Sequence, residues 1–154
     1  MSATTDTSAE PSYTGSCLCG GVKYSVFGDL EPVQLCYCGK CRKSNGAVFA
    51  SNVPVPAASF RVDSGGNLIT MFESSPGKQR KFCKQCGSPL FISSDASPGV
   101  LRLRMGLIDE DARTAPAFHF YTASKPNWWT IEGDLPRYPG AAPQNAVGRQ
   151  DRRI

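Results

Sequence analysis

Leu101-Arg102-Leu103-Arg104-Met105 alternates apolar and polar residues without a break. Successive side chains of an extended chain point to opposite faces. The stretch therefore sets its apolar groups on one side and its arginines on the other, as in a half-buried strand with a solvated face. Working outward, Leu90 to Ser93, Leu68 to Phe72, Phe60 to Val62 and Ala47 to Val53 give shorter strand candidates, and Val22-Lys23-Tyr24-Ser25-Val26 repeats the alternation near the start. Asp63-Ser64-Gly65-Gly66 and Ser74-Ser75-Pro76-Gly77 supply turn chemistry between them. Fifteen glycines and twelve prolines argue against long helices. Only a short helical turn after Cys38 and another over Asp109 to Arg113 are expected. The fold class is all-β.

The 154 residues fit a single domain, drawn at 13–139, with a polar leader over 1–12 expected to be disordered and a flexible basic tail over 140–154. In that tail Arg149, Arg152 and Arg153 face only Asp151, and they carry part of a mild net charge of +4. Such a tail is a solvated one, and no nucleic-acid footprint is read from it. No apolar run approaches the ~20 residues that cross a bilayer, and Met1 to Glu10 are polar and acidic rather than signal-like. A cytoplasmic setting is expected, with no membrane partner, and there cysteines stay reduced.

Seven cysteines fall into Cys17-Leu18-Cys19, Cys36-Tyr37-Cys38-Gly39-Lys40-Cys41 and Cys83-Lys84-Gln85-Cys86. A C-x-C pair on extended backbone puts both thiols on one side, and a C-x-x-C turn gathers two around one ion. Gly87 suits the tight turn that follows the last pair. An odd count in a reducing compartment reads as metal ligation before disulfides. Cys36, Cys38 and Cys41 lie within six residues and can hold an ion unaided. Cys17 and Cys19 together with Cys83 and Cys86 would complete a closed four-thiolate zinc site. The three-thiolate site would keep an open position, the usual form of a catalytic zinc. The arithmetic also allows Cys17 and Cys19 to join the middle cluster, and a structural role for that cluster with a non-cysteine fourth ligand.

Gly15-Ser16-Cys17-Leu18-Cys19-Gly20-Gly21-Val22-Lys23-Tyr24, Cys36-Tyr37-Cys38-Gly39-Lys40-Cys41-Arg42 running on to Gly46-Ala47-Val48-Phe49, and Phe82-Cys83-Lys84-Gln85-Cys86-Gly87-Ser88-Pro89-Leu90 resemble the three ordered motifs of the glutathione-dependent formaldehyde-activating enzyme family. His119 with its aromatic neighbours and Gly133-Asp134-Leu135-Pro136 extend the likeness over roughly Tyr13 to Tyr138. The domain is shared with centromere protein V. The resemblance implies a β-tent, twisted antiparallel sheets pinned by zinc. It also implies Cys17, Cys19, Cys83 and Cys86 as structural ligands, and Cys36, Cys38 and Cys41 as ligands of a second, catalytic zinc; with only three local ligands that second ion is expected to be the more easily lost. Tyr37 departs from the histidine that the family often carries between the first two cysteines of this motif, with its side chain expected close to the site.

The implied activity is that of a carbon–sulfur lyase or synthase, acting on adducts of a glutathione-like thiol with a small carbonyl compound such as formaldehyde. Only a thiolate attacks carbonyls well, and an open zinc position favours it. Cys36, Cys38, Cys41 and His119 are the catalytic candidates. His119 could shuttle a proton or be a fourth ligand, and it could equally be packed by Phe118, Phe120 and Tyr121. Arg42 and Lys43 are the candidates for holding a carboxylate of the thiol. Trp128 and Trp129 could wall a pocket or lie in the core. The rival readings are a different reaction on an electrophilic metabolite, which Tyr37 would tolerate, and a non-enzymatic zinc module.

Overall fold

The computed structural model describes residues 9–146, so most of the expected leader and the arginines of the tail lie outside the described residues. The elements in chain order are β1 (Tyr13–Ser16), β2 (Lys23–Val26), β3 (Val33–Cys36), α1 (Gly39–Asn45), β4 (Ala50–Pro56), β5 (Phe60–Ser64), β6 (Ile69–Ser75), β7 (Lys78–Cys83), β8 (Pro89–Ser94), β9 (Val100–Arg104) and β10 (Pro116–Phe120). Single 3-10 turns occupy Ala57–Ser59, Gly66–Leu68, Met105–Leu107 and Thr122–Ser124. The all-β expectation holds, with the short helix after Cys38 as the one α-helix among the described residues. These residues form two compact units, 9–31 with 54–112 and 32–53 with 113–146.

In the first unit β1, β2 and β5 make a three-stranded antiparallel sheet, and β9, β8, β7 and β6 lie side by side in that order, also antiparallel. Gly15 stands opposite Tyr24 in the β1–β2 register, and a Cβ there would collide with the Tyr24 ring. The missing side chain lets that ring lie across β1 and be buried against Phe60, which in turn packs edge-on to Phe91, each pair of centroids 5.1 Å apart. Aromatic contacts of this kind add roughly 0.5–1.5 kcal/mol to area burial. Against that stands the Tyr24 Oη, buried with no hydrogen-bond partner, whose ionisation burial disfavours.

Two expectations are corrected in this unit. Asp109 to Arg113 form no helix. Asp109 and Glu110 instead latch β1: the Thr14 N–H and hydroxyl donate to the Glu110 carboxylate at 2.8 and 2.6 Å, and the Ser16 hydroxyl donates to Asp109 at 2.6 Å. Asp109 has low helix propensity, and both carboxylates find their hydrogen-bond partners on β1 rather than within a helix. Arg104 is no solvent-facing residue but 4% exposed. Its neighbour Leu103 points to the opposite face and is also buried, so β9 is covered on both sides at its end.

The second unit is built on β3. It pairs antiparallel with β4 (Cys36↔Ala50) and parallel with β10 (Phe120↔Cys36), a departure from wholly antiparallel sheets. Parallel neighbours need a long crossover, and here most of the chain separates the two strands. The start of α1 and the end of β3 thus lie beside Phe120, in a small apolar cluster of Cys36, Cys41 and Ala50.

Candidate metal centres

The thiols of Cys17, Cys19, Cys83 and Cys86 lie within 4.8 Å of one another, and so do those of Cys36, Cys38 and Cys41. The first group belongs to the first unit and the second group to the second. Of the partitions left open by spacing, the structure has four plus three. All seven cysteines are free thiols.

The four-thiol cluster is made by two knuckles. Cys17 and Cys19 leave β1 on a turn closed by the Gly20 N–H on the Cys17 carbonyl, and the Val22 and Gly21 N–H groups donate to the Cys17 and Cys19 sulfurs at 3.2 and 3.4 Å. Cys83 ends β7, and the Gly87 N–H returns to its carbonyl at 2.7 Å. Gly87 has φ +80°, the left-handed conformation that glycine adopts without strain, as the sequence anticipated. Ser88 joins the knuckles: its hydroxyl accepts the Leu18 N–H at 2.9 Å and the Cys86 thiol at 3.3 Å. The Cys17–Cys19 and Cys19–Cys83 sulfurs are 3.5 and 3.9 Å apart. Four thiolates at ~2.3 Å from a tetrahedral ion have sulfur–sulfur edges of about 3.8 Å, so the donor set fits zinc. The surroundings split the thiols: the Ser88 hydroxyl, which can turn to donate to the Cys86 thiolate, and the Ser88 backbone pull Cys86 down to about 5, while Cys19, despite the Gly21 N–H that lowers it, is pushed up to about 11 by the Cys17 thiol and by desolvation. Cys17 and Cys83 are buried with Val22 and Leu90 in the unit's apolar cluster.

The three-thiol cluster sits where β3 runs into α1. Cys36 and Cys41 are buried and Cys38 is half-exposed. Cys38 is the N-cap of α1, its sulfur accepting the Cys41 N–H at 3.3 Å. The adjacent thiols of Cys38 and Cys41, and then burial, drive Cys36 far above the ordinary thiol range, because thiolates so close cannot all ionise without a cation among them. No fourth histidine, cysteine or carboxylate among the described residues joins the group.

His119 is not part of that cluster. Its Nδ1 lies 2.8 Å from the Tyr37 Oη, with the rings 5.6 Å apart and both residues buried. Burial, with the Arg137 guanidinium nearby, holds the imidazole below its usual value and hence neutral at pH 7. The Tyr37 ring also packs on Phe49, the centroids 5.4 Å apart. The bridging role of Ser88 was not anticipated, since a lone serine carries no spacing signal.

Arg42 and Lys43 follow Cys41 on α1 and line a cavity of about 280 Å³ with Gly46, Ala47, Val48 and Trp128. Arg42 Nε donates to the Tyr37 carbonyl at 3.3 Å. Trp128 is 71% exposed and Trp129 38%, so neither lies in the core, and Trp128 takes the wall position. No helix among the described residues is long and apolar enough to cross a membrane.

The profile described as glutathione-dependent formaldehyde-activating enzyme matches residues 12–124. A Halomonas elongata protein named for that activity is 32% identical over 127 residues, covering 77% of this chain and 80% of its own length. A Phaeosphaeria nodorum protein of the same name is 28% identical over 111 residues, which are 70% of this chain and 58% of that protein. In fold, a crystal structure of a Rhodobacter sphaeroides protein is similar with a TM-score of 0.55 at 19% identity, covering 64% of this chain and 89% of that one.

Proposed function

The chain belongs to the glutathione-dependent formaldehyde-activating enzyme family, and on that premise we propose that it is a zinc-dependent carbon–sulfur lyase or synthase acting on the adduct of glutathione, or a similar thiol, with formaldehyde or another small carbonyl compound. The observation that carries this reading is the pair of unequal clusters: four thiols that close a tetrahedron, and three that leave one corner free beside a cavity-bearing helix. Zinc held by Cys17, Cys19, Cys83 and Cys86 would be structural, and zinc held by Cys36, Cys38 and Cys41 would favour the thiolate form of a substrate thiol.

The chain's own residues do the rest. Arg42 and Lys43 offer fixed positive charge to a carboxylate of the thiol, Arg42 with its Nε already held by the Tyr37 carbonyl. Ala47, Val48 and Trp128 give the cavity an apolar lining against which the stem of a short peptide can lie. His119 is neutral, buried and engaged with Tyr37, which suits orientation of that tyrosine better than metal ligation. The setting is the cytoplasm, where both clusters remain reduced.

The test is proton exchange spectroscopy of formaldehyde with glutathione, with and without the protein. Acceleration of exchange with the adduct by the wild type and none by Cys38→Ser, in protein carrying two zinc ions per chain before and one after the substitution, is the expected result. Full acceleration by that variant would sink the reading.

A further inference from the structure

Four of the five basic residues of β7, β8 and β9 share one face of their sheet. The register sets Lys78 opposite Ser94 and Arg80 opposite Ile92, with Arg102 on the other side of Ile92. Directly opposed residues of antiparallel strands lie on the same face, and period two adds Val100 and Arg104 to it. Glu73, the one acidic residue of β6 to β9, stands opposite Gln79 and so on the other face, as does Lys81 opposite Phe91. Arg80 and Arg104 are buried, and Arg80 Nε donates to the Ser74 hydroxyl at 2.9 Å. Lys78 and Arg102 are half-buried, and with Ile92, Ser94, Ser97 and Val100 they line a cavity of about 100 Å³. Cys83 lies at the far end of β7, about 17 Å from Lys78 along the strand, so this cavity is no part of the four-thiol cluster.

The cavity carries two positive charges and no carboxylate in its lining. Asp95 follows Ser94 but lies against Gly77 instead, where an added Cβ would meet its Oδ2 at 2.9 Å. Gly77 is held from two sides: its N–H donates to Glu73 Oε1, and its carbonyl accepts the Asp95 N–H, both at 2.9 Å. The start of β7 is thereby tied to the loop that follows β8. That loop closes on itself, the Ser97 N–H on the Ser94 carbonyl and the Val100 N–H on the Ser97 carbonyl. Lys78, Ser94 and Ser97 are therefore carried on backbone that is already ordered, which lowers the cost of binding. The Ser94 hydroxyl accepts the Ala96 N–H at 3.3 Å, so its own proton is left for another acceptor. Arg102 brings a guanidinium with five donors, enough to serve several partners at once.

We infer that this cavity is a binding site for a phosphate group, either the free ion or the end of a phosphate monoester. Its volume is well below the ~300 Å³ of sites that enclose a drug-sized ligand, so it takes one functional group rather than a whole molecule. Two cations in a half-buried concavity of one sign match the charge of about −2 that a phosphate monoester carries at neutral pH. A carboxylate has two oxygens, which the arginine fork alone would satisfy. Donors from Lys78, Arg102, Ser94 and Ser97 come from separate points and suit the several oxygens of a tetrahedral group. The site belongs to the first unit and is independent of the functional reading above.

The test is a titration of the full-length, zinc-loaded protein with inorganic phosphate and with glycerol 3-phosphate, followed by amide resonances. Saturable shifts centred on Lys78, Ser94, Ser97 and Arg102 are the expected result, with acetate binding at least about tenfold more weakly. Free phosphate alone binding there identifies the ion as ligand, and glycerol 3-phosphate alone identifies an esterified group. Arg102→Gln and Lys78→Gln should each weaken binding about tenfold, and Ser97→Ala about threefold. Lys81→Gln removes the same charge from the opposite face and should change affinity by less than about twofold. If Arg102→Gln fails to fold, Lys78→Gln, beside the hairpin turn, decides. No saturable shift with either probe, acetate binding as tightly as phosphate, or an equal loss in Lys81→Gln would overturn the site.

Discussion

The two units solve the same problem, holding several thiols within 4.8 Å, in opposite ways. In the first, the ligands come from two knuckles some sixty residues apart, set in an apolar cluster with Val22 and Leu90 and bridged by Ser88. In the second, all three lie within six residues at a strand-to-helix junction, with Ala50 and Phe120 packed beside them and His119 securing the tyrosine in their midst. A cluster assembled from distant segments makes metal binding part of folding. A cluster made locally can form, empty and refill without taking the unit apart. The same contrast separates a closed coordination shell from an open one.

The comparison breaks most sharply by serine substitution in each cluster. Cys83 is 0% exposed among apolar neighbours, so Cys83→Ser buries a hydroxyl and removes one thiol of the proposed zinc site that joins two segments. Structural zinc contributes roughly 10–16 kcal/mol in small domains, comparable to a whole domain's stability. Loss of cooperative thermal unfolding, or insolubility, is expected. Cys38→Ser removes a half-exposed thiol, and serine is itself a good N-cap for α1. Circular dichroism melting should show that variant folded, within about 1–2 kcal/mol of wild type. Equal losses in the two variants would end the distinction between a folding site and a working site.

A subtler contrast lies in two buried tyrosines. Tyr37 has a hydrogen-bond partner for its hydroxyl in His119, while Tyr24 has none. Removing the first oxygen strands His119 Nδ1, at about 1–3 kcal/mol for a buried polar group left unpaired. Removing the second strands nothing. Urea unfolding should place Tyr37→Phe about 1–3 kcal/mol below wild type and Tyr24→Phe at or slightly above it. The reverse order would mean that the Oη of Tyr24 is satisfied in solution.

What the sequence disclosed and what it hid follow the same line between local and distant. Alternation over Leu101 to Met105 and over Val22 to Val26 marked strands, and cysteine spacing marked both clusters, because each signal lies inside a few residues. The strand Lys78–Cys83 carries three cations and a glutamine before its first apolar residue, so no alternation announces it. Val33–Cys36 is buried at every position, and Pro116–Phe120 opens on proline, so neither shows the half-buried pattern. Arg104 was misjudged because period two gives the face of a side chain and not what covers that face. His119 was visible as a candidate, but its partner lies 82 residues away, a pairing that no local pattern encodes.

Acid separates the two units by the groups that brace them, with the smallest effects of those considered. In the first unit, the Thr14 hydroxyl and N–H hold the Glu110 carboxyl below the usual carboxylate range. An unfolded glutamate takes up its proton near 4.3, so the latch is fully present above about that pH and is lost as pH falls through the folded value. In the second unit, burial first and the Arg137 charge second hold His119 below the usual imidazole value. Here the unfolded chain takes up a proton from about pH 6.5 downward while the folded chain resists it, so this contribution is complete above about 6.5 and declines below. Protonation of the cysteine ligands is common to all variants and largely cancels in differences between them. Urea unfolding of wild type, His119→Gln and Glu110→Gln from pH 7.5 to 4 should therefore show two windows. The wild-type advantage over His119→Gln narrows once pH drops below about 6.5, whereas the advantage over Glu110→Gln is constant until about 4.3 and narrows only beneath it. A single shared window would show the bracing of the two units to be coupled, and a flat difference for His119→Gln would show that the imidazole of His119 titrates alike in both states.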